Sequence, residues 1–182
     1  MKVGIIGMSN ITLDFANRAT MSGYEVLISH IRDNNVLNEA VKRTSSYLKL
    51  VDMAEVAKAE IIILSVSRED IETLIQSLPD MTEKIILHTN NVIFNLEPTE
   101  SKLPEICSTD MIASLLPTAH VVKVFSTVEP MIILPYHEKQ NSNEIFYIAS
   151  NEYIKIYVRI FLESLDFTGQ DLTELNQFNT LN

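Results

Sequence analysis

Lys2-Val3-Gly4-Ile5-Ile6-Gly7-Met8-Ser9-Asn10-Ile11-Thr12 is the stretch whose reading decides the fold. Val3-Gly4-Ile5-Ile6 reads as a strand that would bury both faces, the pattern of a parallel sheet covered on each side. Gly7 permits a tight turn, and beyond it Ile11, Phe15, Ala16 and Ala19 recur at helical spacing as far as Met21. Gly23 stands where that helix should stop, and Tyr24-Glu25-Val26-Leu27-Ile28 supplies a second strand.

The alternation continues outward from this unit. Residues 35–43 are helix-like, 47–50 a weaker third strand, 53–59 a short helix and 61–66 a very apolar central strand. Residues 69–78 read as a helix and 84–89 as a fifth strand. Repeated strand–helix–strand units with right-handed crossovers predict a Rossmann-type, doubly wound α/β fold with a mainly parallel sheet. The second half is less regular. Residues 91–104 read as a long polar loop, 109–116 as helix, 121–125 and 145–149 as strands, 152–165 as helix and 136–144 as a polar connection. The expectation is a single domain over residues 1–182, with a core over about 1–127. Residues from about 128 to 182 would complete it with a small C-terminal helical element.

Composition narrows the function classes. The 182 residues carry a formal net charge of -10, opposite to the basic stripe of a nucleic-acid binder. No run approaches the roughly 20 apolar residues that span a bilayer, so no membrane partner is expected. Cys107 stands alone, which excludes an internal disulfide and a cysteine zinc cluster and fits the cytoplasm. A lone Cys usually packs as a small hydrophobe. No His pair shows zinc-ligand spacing, so no metal is expected.

Position and context make Gly7 to Thr12 a candidate phosphate turn, laid over the dinucleotide fingerprint G-x-G-x-x-G. Gly7 matches the first glycine. Ser9 replaces the second, where a side chain narrows the approach of a pyrophosphate, although its hydroxyl could itself donate to a phosphate. Thr12 replaces the third, where helix and strand pack closely. The blander alternative is that Gly4 and Gly7 only permit a turn after a buried strand. Met8 could border a nucleotide or simply fill the core. Ser29, His30, Ile31 and Arg32 follow the second strand, and the first acid is Asp33. A basic residue there suits the 2′-phosphate of NADP(H), with Arg32 as its ligand and Ser29 or His30 assisting. Arg32 could equally be a solvated loop cation, as Lys42 and Arg43 are expected to be.

These residues resemble the NADP oxidoreductases related to the deazaflavin (coenzyme F-420) dependent NADP reductase. Lys2-Val3-Gly4-Ile5-Ile6-Gly7 with Asn10 and Ile11 is similar to the family's K-I-G-I-I-G-x-G-N-I-G, and Gly23-Tyr24-Glu25-Val26 to its G-H-E-V. Ile63 to Ser67 resembles V-L-A-V-P, and Thr89-Asn90-Asn91 resembles T-N-P. Leu115 to Thr127 is similar to L-L-P-G-A-R-V-V-K-A-F-N-T, and Leu165 to Leu172 resembles G-F-x-x-x-D-x-G. The resemblance implies NADP(H) lying across the strand ends, a small redox acceptor such as a deazaflavin or flavin, and a homodimer. It places Gly7, Ser9, Asn10 and Ile11 at the pyrophosphate and His30 and Arg32 at the 2′-phosphate. Val66, Ser67, Thr89 and Asn90 would border the ribose and nicotinamide. The chain departs from the pattern at Ser9, Thr12, Ser67, His88, Asn91 and Ser126, all of them on the cleft side.

Hydride transfer between two stacked rings needs positioning more than acid–base chemistry, and no catalytic triad is visible. His88 is the one titratable candidate for a proton donor beside the acceptor, against the commoner role of a hydrogen-bonded structural residue. Two functions follow: an NADP(H)-dependent oxidoreductase, or a catalytically silent regulator or structural dimer that keeps the fold.

Overall fold

Ile61–Leu64 and Lys2–Ile6, the most apolar strands of the first half, pair in parallel at the middle of an eight-stranded sheet. A computed structural model of the protein describes residues 1–30, 47–89, 108–126 and 143–173. In chain order its elements are β1 (Lys2–Ile6), α1 (Asn10–Met21), β2 (Glu25–Ser29), β3 (Leu48–Leu50) and α2 (Met53–Val56). There follow β4 (Ile61–Leu64), a 3-10 turn (Arg68–Asp70) running into α3 (Ile71–Ser77), β5 (Ile85–His88) and α4 (Ser108–Leu115). β6 (His120–Ser126), β7 (Glu144–Ile148), α5 (Glu152–Ser164) and β8 (Thr168–Asp171) complete the described chain.

The sheet order is β3-β2-β1-β4-β5-β6-β7-β8, parallel throughout except where β7 runs against β6. This is the expected doubly wound α/β architecture. Each buried strand shares its side chains between two cores, as the pleat requires. Val3, Ile5, Val26, Ile28, Ile61 and Ile63 face α1 and α5, whereas Ile6, Leu27, Ile62, Leu64 and Ile86 face α2, α3 and α4. On the second face Gly4 lets α2 come close, because a Cβ there would lie 2.9 Å from Val56 Cγ1 and 3.0 Å from the Val56 carbonyl oxygen. Any side chain at residue 4 would push that helix off the sheet.

The first and last helices cover one face together. Phe15 of α1 packs on Phe167 with ring centroids 5.0 Å apart, and the Arg18 guanidinium sits 4.2 Å above the same Phe167 ring. Arg18 also donates to the carbonyl oxygens of Leu165 and Asp166 and to Asn143 Oδ1, while Asp14 holds its Nε at 3.1 Å. One side chain thus ties α1 to the end of α5 and the start of β7. The expected C-terminal helical element is α5, flanked by the expected β7. β8 was not expected: Thr168-Gly169-Gln170-Asp171 carries no apolar pattern, and its pairing with β7 makes it a strand. The predicted helix over 35–43, the loop over 91–104 and most of the 136–144 connection lie outside the described residues, as does Cys107.

Candidate functional site

The strand order reverses direction between β1 and β4, since the chain winds outward from β1 through β2 to β3 and then returns to lay β4 on the other side. In open α/β sheets the crevice at such a reversal, outside the carboxyl ends of the strands, is where ligands bind. Ser29, Ile6, Leu64 and His88 form one register row across β2, β1, β4 and β5. The predicted site residues Gly7 to Ile11, Ser29, His30, Val66, Ser67 and Thr89 all lie on or just beyond this row. Folding brings them to one edge, from four separate segments of chain. Arg32 and Asn90 lie outside the described residues.

Gly7 fixes the turn. Its φ of +87° lies in the left-handed region, and a Cβ would stand 1.8 Å from the Ser65 carbonyl oxygen. Only glycine fits there. Its N–H donates to the Ser29 carbonyl at 3.0 Å, and the Ser65 N–H donates to the Ile6 carbonyl at 2.9 Å, so three strand ends are stitched together.

The two residues that replace glycines act as a pair. Ser9 is the N-cap of α1: its hydroxyl accepts the Thr12 N–H at 3.3 Å. Thr12 Oγ1 in turn accepts the Ser9 N–H at 2.8 Å, which closes a reciprocal capping box. The Thr12 hydroxyl, fully buried, can donate to the Ser9 carbonyl at 3.1 Å or the Gly7 carbonyl at 3.3 Å. Leu13 N–H goes to the Ser9 carbonyl at 3.0 Å. Of the amides at this helix start, those of Asn10 and Ile11 meet no acceptor among the described residues. The helix N-terminus therefore keeps two N–H donors, together with its positive dipole end, for an anion. The Ser9 side chain, expected to crowd a pyrophosphate or to donate to one, is engaged with Thr12. Sequence reasoning missed this lock. Its signal was a hydroxyl residue three positions after a serine, which departs from the usual Glu or Gln of a capping box.

The other candidates occupy graded surroundings. Asn10 is exposed, and Met8 and Ile11 are half-buried against the core that includes Phe15. Ser29 is buried and His30 half-buried. Val66 is buried, while the Ser67 hydroxyl donates to Asp70 Oδ2 at 2.7 Å and so fixes the start of the turn after β4. Thr89 is buried, its N–H and hydroxyl both directed to the Leu64 carbonyl. His88 is fully buried, with Nδ1 2.9 Å from Thr109 Oγ1 on α4. Among the described residues no group of His, Cys, Asp and Glu side chains could hold a metal ion, and no helix is long and apolar enough to cross a membrane.

Comparison with known proteins agrees with this fold. Solved structures match over nearly the whole chain. A hypothetical protein from Sinorhizobium meliloti superposes with a TM-score of 0.72 at 23% identity, over 94% of this chain and 84% of its own. An Arthrobacter protein described as a candidate F420-dependent NADP-reductase superposes with a TM-score of 0.71 at 19% identity, over 94% and 84%. An imine reductase from Aspergillus terreus, in complex with NADPH4 and dibenz[c,e]azepine, gives 0.65 at 16% identity, over 99% of this chain but 60% of that one. At these identities the likeness establishes the Rossmann-like fold. No curated protein matches the sequence. The model of the family described as "NADP oxidoreductase coenzyme F420-dependent" matches residues 2–92, which include the glycine turn, β2 and the ends of β4 and β5. The chain belongs to this coenzyme F420-dependent NADP oxidoreductase family.

Proposed function

We propose that the protein binds NADP(H) along the carboxyl edge of β2, β1, β4 and β5 and passes a hydride between its nicotinamide and a deazaflavin or flavin ring. The observation that carries this reading is the pair of amides at Asn10 and Ile11, which meet no acceptor among the described residues and stand at the reversal point of the sheet. Those two N–H groups would take the pyrophosphate, as the donor set at a helix N-terminus suits two adjacent anionic groups. His30 and Arg32 would meet the 2′-phosphate of the adenosine ribose, with Ser29 assisting. Val66, Ser67, Thr89 and Asn90 would border the nicotinamide ribose. The bound nucleotide supplies the hydride chemistry, and the protein supplies orientation and a dry floor. In that reading His88 supports the floor through Thr109 rather than meeting solvent, because its side chain is fully buried.

Titration with NADPH and NADH, followed by nucleotide fluorescence, tests the binding half of the proposal. Saturable binding that favours NADPH, together with oxidation of NADPH by an added deazaflavin or flavin, is expected. Arg32→Ala should weaken NADPH far more than NADH, and equal losses would remove Arg32 from the 2′-phosphate site. Binding without turnover of any ring acceptor would select the silent-regulator reading, which the replacement of two fingerprint glycines favours. Absence of NADPH binding at millimolar concentration would end both.

A further inference from the structure

Lys123 is the register partner of His88, so it carries across to β6 the row that begins at Ser29 and runs through Ile6 and Leu64. Side chains alternate along a strand, and register partners of a parallel sheet share a face. Leu64, Ile86 and Val121 all pack in the core under α2, α3 and α4, which sets Lys123 and Phe125 on that side as well. Phe125 stands two residues past the row, as Val66 does on β4, and Val66 is one of the residues proposed to border the nicotinamide ribose.

The Lys123 ammonium lies 5.6 Å from the centroid of the Phe125 ring. It therefore leans along its own strand towards the carboxyl edge. Lys123 is half-buried, and Phe125 is only 9% exposed. A cation among such poorly solvated neighbours acts on nearby charge far more strongly than one in open water. Ser29, Ile6 and Leu64 carry no charge and His88 is fully buried, so Lys123 supplies the row with its fixed positive charge.

Hydride transfer gives that charge a task. The C4–H bond of the reduced nicotinamide breaks with both electrons, and a bond to hydrogen forms at N5 of a flavin or at the carbon that replaces it in a deazaflavin. The nicotinamide is oxidised to a cation. The ring is reduced to an anion whose charge spreads over N1 and the C2 carbonyl. A nucleotide laid from β2 to β5 presents its nicotinamide beside β6, which brings a ring stacked on it within reach of Lys123. A positive charge there stabilises the reduced ring and does little for the neutral, oxidised one.

We infer that Lys123 provides the positive charge that stabilises the anionic, reduced ring of the acceptor. The inference rests on the hydride-transfer reading above and adds to it the residue that biases transfer towards the ring.

Anaerobic titration with oxidised and reduced riboflavin reads this charge without turnover. The protein is first saturated with tetrahydro-NADP, which cannot exchange a hydride. Wild type should then bind reduced riboflavin about tenfold more tightly than oxidised riboflavin above neutral pH. Lys123→Met should abolish that preference and Lys123→Arg should keep it, although both side chains fill the same space. In turnover of NADPH with riboflavin, Lys123→Met should lower kcat by on the order of 100-fold and leave the NADPH Kd unchanged. Far-UV circular dichroism checks that each variant folds. Failure of the wild type to bind tetrahydro-NADP overturns the nucleotide reading and this inference with it. If the nucleotide analogue binds, a preference for the reduced ring that survives in Lys123→Met overturns the inference alone, as does a wild type that shows no preference.

Discussion

Thr12 Oγ1 lies 3.3 Å from the Gly7 carbonyl oxygen, in position to donate to it, and takes the Ser9 N–H at 2.8 Å. A residue that occupies a fingerprint glycine position thereby holds the turn closed from within. Thr12→Val keeps the shape and deletes the hydroxyl, leaving the Ser9 N–H without its acceptor. NADPH and NADH affinity should both fall roughly tenfold, and Thr12→Ser should restore them. Parallel losses are expected because the lock holds the turn proposed for the pyrophosphate, a group that both nucleotides share. Unchanged affinity in a variant that folds normally would separate Thr12 from nucleotide binding.

Gly7→Ala should damage the fold itself. The left-handed φ and the 1.8 Å approach of a Cβ to the Ser65 carbonyl oxygen allow no small adjustment, since the obstacle is backbone. A loss on the order of 3 kcal/mol is expected in urea denaturation. A midpoint equal to wild type would show that the turn reopens without cost.

Arg18 joins the two ends of the described chain through one guanidinium that is 18% exposed. Its bonds to Leu165, Asp166 and Asn143 and its stacking on Phe167 act together, and Arg18→Ala deletes them at once. Stability should drop by on the order of 2 kcal/mol. Lys at the same position should recover little, because an ammonium cannot present the planar fork. Full recovery by Lys would reduce the role of Arg18 to its charge.

Tyr147 gives the fold an alkaline limit. Burial pushes its phenol above the ordinary value of 10.0, and the Asp171 carboxylate pushes the same way. The folded state then holds this proton at pH values where the unfolded chain has begun to release it. The contribution of this group to stability should be constant below about pH 10 and be lost as pH rises from there towards the higher folded value. Tyr147→Phe should flatten that decline in chemical denaturation at a series of alkaline pH values. An unaltered slope would place the alkaline sensitivity elsewhere, with Tyr157, which is shifted the same way, as the next residue to examine.

Most of the sheet was legible because its strands are continuous apolar runs. Ile61–Leu64 and Ile85–His88 could be nothing else at that length between helical patterns. β8 escaped, since Thr168–Asp171 acquires strand geometry only from its pairing with β7, a partner more than twenty residues away. The strand ends that meet at the candidate site were equally plain, since a doubly wound sheet must deliver them to one edge. What could not be read was how the site is held. Ser9 and Thr12 each look like a lost glycine when taken singly, and only their mutual bonds reveal a substitute. His88 reads as a strand-end imidazole in sequence, but its burial against Thr109 depends on where α4 packs.

Phe15 and Phe167 touch although 152 positions separate them, and that contact has a consequence for synthesis. α1 leaves the ribosome well before Phe167, the ring that its Phe15 packs on and its own Arg18 stacks over. Until residues 145–167 have emerged, Phe15, Ala16 and Ala19 lack the part of their core that β7, α5 and Phe167 supply. A nascent chain or proteolytic fragment ending near residue 126 would keep a sticky flank, the kind of surface that chaperones and proteases recognise. Quality control of this protein thus turns on the segment from β7 to Phe167, even once the strands from β1 to β6 are complete.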